Sequence, residues 1–230
     1  MHQWSSGVVR NPAMPDNTQL KLSDEQVVAD LRTFVSLARA MDDGGIRLQA
    51  SGTVLAAYVC VMQPKALGES TPTILGLRTM NLAAPVELDI TVPLSAVADR
   101  LARMRGQDTA LQVPPMTVSH SWSGVSPDRT GWSKRGTLSG QELMETAKAG
   151  VREVAEIVPA NPGALIVNNA RGAVWGRQIE GTQVPAGAAF AAYGLGFLTP
   201  EAAVAVFEHH RWLRLSSERG HVLIRPPLSL

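Results

Sequence analysis

The sequence holds one cysteine, Cys60. A single thiol excludes an intramolecular disulfide and a thiolate metal cage built from one chain. Aromatic residues are only 5% of 230 residues, so a core has to be assembled mainly from Val, Leu, Ile, Ala and Met. An excess of one charge is lacking too: 21 Lys and Arg face 20 Asp and Glu, a formal net charge of +1. At that value bulk attraction gives no reason to expect nucleic acid or an acidic membrane as partner. No stretch approaches the roughly 18 apolar residues of a membrane span. The opening MHQWSSGVVRNPAMPDNTQL has no apolar run of about 7–15 residues, as a signal peptide would. These absences predict a cytoplasmic protein without a membrane partner, residues 1–20 being a disordered or draped tail.

Motifs that announce a chemistry are also missing. There is no G-x-x-x-x-G-K-[ST], no G-x-G-x-x-G after a strand and no G-x-S-x-G elbow. His-x-x-x-His spacing is absent, so neither a metal nor a cofactor is expected. His209 and His210, read at the end of a helix, would point about 100° apart and could not share an ion.

What is present is a globular composition, 45% apolar and 18% charged. By the soft rule of about 150 residues per domain, 230 residues make one large domain or two small ones. LSDEQVVADLRTFVSLARAMDDGG reads as a helix, with Ser23 and Gln26 at capping-box spacing and Leu31, Phe34, Val35 and Ala38 on one face. Four strand-like runs follow: IRLQA, TVLAAYVCVM, TILGLRTMNL and VELDITV. The last alternates Leu88, Ile90 and Val92 against Glu87, Asp89 and Thr91, which predicts one buried and one wet face. LSAVADRLARMRG reads as a second helix with Ser95 as candidate cap, and LQVPPMTV as a Pro-broken edge strand. In the second half SGQELMETAKAGVREVAEIV reads as a helix, ALIVNNARGAVWGRQI as a hairpin, PAGAAFAAYGLGF and TPEAAVAVFEHH as helices, and RWLRLSSERGHVLIRP as a hairpin.

The predicted fold class is therefore α+β. Residues 21–118 form an antiparallel meander sheet with flanking helices, 119–138 an irregular loop, and 139–230 a helix–hairpin–helix–helix–hairpin half, separate from the first or continuous with it. Helix-then-hairpin occurs in both halves, at 24–62 and 140–179, so an internal duplication is an alternative to chance. Residues 185–225 have the order of a winged helix.

Two groups of residues are candidates for function. His120, Trp122, Asp128, Arg129 and Trp132 lie in the irregular loop, where Trp and Arg are favoured contacts for a ligand or partner. Ser119, His120 and Asp128 are also the residue types of nucleophilic catalysis, although neighbours in an extended loop point apart. Arg211, Arg214, Arg219 and Arg225 make the most basic stretch, suited to phosphates. Against DNA reading, a recognition helix at 200–210 would carry Glu201 and Glu208 and no base-reading side chain. Glu87 and Asp89, about 7 Å apart on one strand face, and Cys60 in an apolar strand have structural explanations.

VLAAYVCVM, VPAGAAFAAYGLGFL and RWLRLSSERGHVLIRP resemble stretches of a conserved hypothetical protein family of high-GC actinobacteria, over most of the chain from about residue 24. No activity is attached to that family, so the resemblance implies no site residue. The leading expectation is a non-catalytic cytoplasmic binding or interaction protein, for a protein partner or small ligand, with the Ala/Gly-rich helix available for a homodimer. A DNA-associated protein using residues 185–225 is the alternative, and an enzyme using the 119–133 loop the third reading.

Overall fold

The computed structural model describes residues 18–65, 69, 71–159 and 163–227. The elements of the first half are β1 (Gln19–Lys21), α1 (Glu25–Met41), β2 (Gly45–Ser51), β3 (Val54–Met62), β4 (Thr73–Asn81), β5 (Leu88–Pro93), α2 (Leu94–Arg103) and β6 (Ala110–Gln112). Those of the second are β7 (Ser133–Ser139), α3 (Gly140–Ile157), α4 (Ala164–Trp175), α5 (Ala186–Gly194), β8 (Ala203–His209), β9 (Trp212–Ser217) and β10 (Gly220–Arg225). Most of the stretch expected to be a tail, residues 1–17, lies outside the described residues; Gln19–Lys21 pairs with Ala110–Gln112.

One eight-stranded antiparallel sheet runs through both halves in the order β5-β2-β3-β4-β10-β9-β8-β7. The first four strands are not the simple meander expected. β5 returns to pair with β2, Ile90 opposite Leu48, and so leaves the edge of β4 free for β10. The β4–β10 ladder sets Leu75 against Leu223 and Ile74 against Ile224. All four side chains are buried, and each contributes roughly 1.5–3 kcal/mol. Separating the halves would expose them and unpair the ladder's backbone groups.

The helices cover one face. α1 starts where the Asp24 side chain accepts from the Val27 N–H at 2.9 Å; Asp24, and not Ser23, is the cap. α2 begins directly after Pro93, so Ser95 lies inside it. Residues Leu31, Phe34, Val35 and Ala38 are buried as their spacing predicts, and Phe34 stacks on Phe197 at 6.0 Å. The Ala/Gly-rich α5 crosses the junction between the halves. A Cβ at Gly76 of β4 would lie 2.1 Å from Leu195 Cδ1, and one at Gly187 would lie 2.7 Å from Ile74. Small residues here let helix and sheet backbones approach. Ala188, Ala189, Ala191 and Ala192 are buried inside the chain, which corrects the expectation of a self-association helix.

Two elements of the second half differ from the expectation. Residues 164–175 form a helix, not a hairpin arm: Ala170 and Val174, four apart, share a buried face with Trp175. Residues 203–209 form a strand, not a helix. Thr199–Ala202 closes a turn (Ala202 N–H to Thr199 C=O, 3.0 Å); Val204 then pairs with Leu138 of β7, and Val206 with Gly136 of β7 and Leu215 of β9. Pairing on both edges outweighs the helix-start pattern of Thr-Pro-Glu. The C-terminal part is thus a three-stranded meander, β8-β9-β10, and not a winged helix.

Candidate functional site at the second sheet face

The other face of the sheet is covered in part: Glu87, just before β5, and Asp89 are exposed as their alternation predicts, while the middle of the sheet is not. Tyr58, Leu75, Trp122, Trp212 and Leu223 form a second apolar cluster there, with Trp132 packed against it. Trp122 and Trp132 come from the irregular segment, which crosses this face from the first half to the second. The Val118 N–H donates to the Thr91 carbonyl (2.9 Å), and the Ser121 hydroxyl to Gln63 Oε1 (3.0 Å). Arg47 holds Asp89 through two bonds of 2.7 Å and donates a third to Ser126 Oγ. At the far side His209 Nδ1 donates to the Gly131 carbonyl (2.8 Å). The segment ends sooner than expected, because β7 starts at Ser133.

This roof accounts for Thr91 and, through Arg47, for Asp89. Thr91 is 9% exposed. The Arg47 guanidinium donating to Asp89 holds that carboxyl below its ordinary range, and Asp89 in turn raises Arg47. Glu87 Oε1 accepts from the Gly52 N–H at 2.8 Å, fixing the β2–β3 turn. Neither carboxylate is free for acid–base work.

Beside the roof lies a pocket of about 220 Å³, lined from the first half by Gln49 and Tyr58, from the roof by Asp128, Arg129 and Trp132, and from the second half by Arg214 and His221. Arg214 is its distinctive group. Its guanidinium lies 4.4 Å from the Trp132 ring centroid and 4.5 Å from that of Phe207. Its Nε is buried without a hydrogen-bond partner, and it makes no salt bridge among the described residues. Burial lowers its pKa from the usual arginine value. A desolvated cation without a counter-charge is costly unless something binds it.

Catalytic geometry is poor. The Ser–His pair at this pocket is Ser216 with His221, Nδ1 to Oγ 2.9 Å. Burial, with the Arg214 and Arg78 charges behind it, pushes His221 down to about 4, and no carboxylate orients it. So weak a base draws little on a serine proton. Cys60 is inert for a related reason: burial pushes its thiol up to about 12, and it donates to the Met62 carbonyl.

The sequence-predicted residues separate into two places. His120 and Trp122 stack at 5.9 Å and line a different cavity, of about 250 Å³, with Asp42, Gln63 and Arg171. The His120 ring packs on Gly45, where a Cβ would lie 2.7 Å away, and makes no hydrogen bond among the described residues. Asp128, Arg129 and Trp132 gather at the Arg214 pocket. The four arginines of the basic stretch do not form one patch. Arg214 is mid-strand on the second face, Arg211 sits in the β8–β9 turn donating to Pro227 C=O, and Arg225 ends β10 beside Trp212. Arg219 is at the opposite end, in the β9–β10 turn. Tyr58, Phe207 and His221 were missed. Their signal was strand parity, since Tyr58, Trp212 and His221 alternate with helix-facing apolar residues.

Fold and site define a two-layer α+β protein whose eight-stranded antiparallel sheet is shared by two halves, helices on one face and a crossing segment on the other. Residues 15–124 match a family described as "Domain of unknown function (DUF8010)", and residues 127–229 one described as "Domain of unknown function (DUF8185)". These matches agree with the resemblance to an uncharacterised family and say nothing of an actinobacterial origin. None of the curated proteins matches the chain. Among solved structures it is similar to a candidate DNA polymerase III beta subunit from Eubacterium rectale ATCC 33656, with TM-score 0.51 and 10% identity over 92% of this chain. It is also similar to Caulobacter crescentus pol III beta (TM-score 0.49, 10% identity, 91% of this chain) and to a DNA polymerase sliding clamp from Pseudomonas aeruginosa (0.48, 11%, 93%). This chain spans 65% of the length of each. The first likeness is one of fold. Among the described residues no helix is long and apolar enough to cross a membrane.

Proposed function

We propose that this chain is a non-catalytic cytoplasmic binding protein whose Arg214 pocket holds an anionic group of its partner. The observation that carries the reading is Arg214 itself, sandwiched between Trp132 and Phe207, its Nε unpartnered at the wall of a pocket to which both halves contribute. At about 220 Å³ the pocket is smaller than the roughly 300 Å³ at which drug-sized ligand sites begin. It suits a single carboxylate or phosphate-bearing group, such as an acidic side chain of a protein partner. The low basicity of His221 and the engaged state of Glu87 and Asp89 support a non-catalytic role.

DNA association is the second reading, favoured by the fold likeness to the candidate polymerase beta subunit. Charge weighs against it. α3 carries Glu142, Glu145, Glu153 and Glu156 against Lys148 and Arg152, so this helix offers no basic face to phosphates. Phenyl phosphate and a 20-base-pair duplex, each titrated into the full chain and into Arg214→Met, separate the readings. Binding of phenyl phosphate lost in Arg214→Met supports the pocket. Duplex binding that falls steeply with salt and survives Arg214→Met overturns it in favour of DNA.

A further inference from the structure

His209 and His210 are not on a helix. His209 ends β8, and His210 occupies the turn to β9 with φ +51, the one non-glycine residue at positive φ among those described. For a residue other than glycine that conformation is uncommon and is retained mostly where the surroundings require it. It sets the two imidazoles side by side, ring centroids 4.2 Å apart at 60°. The carboxylate of Asp128 reaches the same point from the crossing segment. One ligand atom from each of Asp128, His209 and His210 lies within 4.8 Å of the others.

Both ring nitrogens of His209 face acceptors: Nδ1 is 2.8 Å from the Gly131 carbonyl oxygen and Nε2 is 3.2 Å from Asp128 Oδ2. With Nδ1–H given to Gly131, the place between Nε2 and the carboxylate accommodates a positive charge, either a second ring proton or a metal ion. Backbone carbonyls commonly fix metal-binding histidines in this way, one nitrogen donating while the other faces the ion. Gly131 is suited to its part: its φ is +82, and a Cβ there would lie 2.7 Å from the His209 ring. The Asp128 side chain is 75% exposed, which leaves room for an ion to enter and keep water ligands.

We propose that Asp128, His209 and His210 form a binding site for a divalent transition-metal ion of the zinc class. Two imidazoles and a carboxylate suit Zn²⁺, Co²⁺ or Ni²⁺ and are too few oxygens for Ca²⁺. The bound ion ties residues 128–132 of the crossing segment to the end of β8. The site adjoins the Arg214 pocket, since Asp128 lines both and Trp132, which packs on Arg214, has its ring centroid 5.7 Å from that of His209.

The test uses the full chain without a histidine tag, stripped with chelator and titrated with ZnCl₂ by calorimetry and with Co²⁺ by visible absorption. One ion per chain is expected, with a d–d spectrum and a raised melting temperature. Asp128→Asn and His210→Asn keep size, and Asn tolerates positive φ at 210, so both should fold. Each removes a direct ligand and is expected to weaken Zn²⁺ by more than the roughly 10–100-fold that loss of an outer hydrogen-bond partner costs, while Ca²⁺ does not bind. Absence of Zn²⁺ binding to the wild-type chain at 100 µM, or binding unchanged in both variants, overturns the proposal.

Discussion

Replacing Arg214 by methionine should leave the free protein as stable or make it more stable, which is unusual for a residue packed between two rings. The reasoning follows from its surroundings. The guanidinium gains from stacking on Trp132 and Phe207, 4.4 and 4.5 Å away, at about 0.5–1 kcal/mol each. Methionine keeps the unbranched stem and restores part of this through sulfur–aromatic contact, about 0.3–1.5 kcal/mol. Against the stacking stands the buried Nε without a partner, whose desolvation costs about 1–3 kcal/mol. Summed, the terms for Arg214→Met run from about 0.7 kcal/mol of destabilisation to about 3.5 kcal/mol of stabilisation, centred near 1.4 kcal/mol of stabilisation. For a chain of this size the central value is a rise in Tm of about 3–6 °C, at about 2–4 °C per kcal/mol. Urea denaturation followed by tryptophan fluorescence, with a thermal scan beside it, gives both numbers. Arg47→Met is the contrast on the same sheet face. Its guanidinium is 14% exposed and bonded to Asp89 and Ser126, so its loss should destabilise by about 1.5–3 kcal/mol. A loss of more than about 2 kcal/mol in Arg214→Met would refute the reasoning and make Arg214 a structural clamp with nothing left to bind.

Other consequences can be measured in parallel. His221 titrates near 4 in the folded chain and near 6.5 when unfolded, so the unfolded chain binds more protons between those values. Stability therefore falls as pH drops from about 6.5 to about 4, by up to about 3 kcal/mol from this group. Denaturation at several pH values should show a shallower slope in His221→Asn, and an unchanged slope would contradict the assignment. Trp122→Ala should cost about 3–5 kcal/mol and speed hydrogen exchange across 113–132; faster local exchange without global loss would make the crossing segment a separable flap. Cys60, its thiol pushed up to about 12, should resist alkylation at pH 8 until denaturant is added, and rapid labelling of the native chain would disprove its burial.

Much of the regular structure was legible from periodicity. α1, α3 and the β9–β10 hairpin lie where apolar spacing and turn residues placed them, because each buries one face against one neighbour. The misreadings at α4 and β8 concern short apolar runs, where spacing alone does not separate helix from strand. Ala203–His209 became a strand because β7 and β9 offered ladders on both sides, and β7 lies far upstream in the chain, Ser139 pairing with Ala203 and Ser133 with Glu208. The roof was the larger omission. Alternation in β5 marks two faces, but a polar face under ion-paired Arg47 and Asp89 has the same pattern as one under water. For the candidate site, the sequence picked out Asp128, Arg129 and Trp132 by residue type. It could not bring Arg214 to them, since that contact depends on the long return of β9 and β10 to β4. The histidine pair was dismissed for a helical geometry it does not have.

The central claim is tested most directly by following the Arg214 Nε–H and Trp132 indole N–H resonances while phenyl phosphate is titrated into the folded chain. Both signals are expected to shift together along one saturating curve, and the Trp132 shift to vanish in Arg214→Met. Signals that stay in place at saturating phenyl phosphate, or a Trp132 signal that moves identically in Arg214→Met, would contradict a binding pocket built on Arg214.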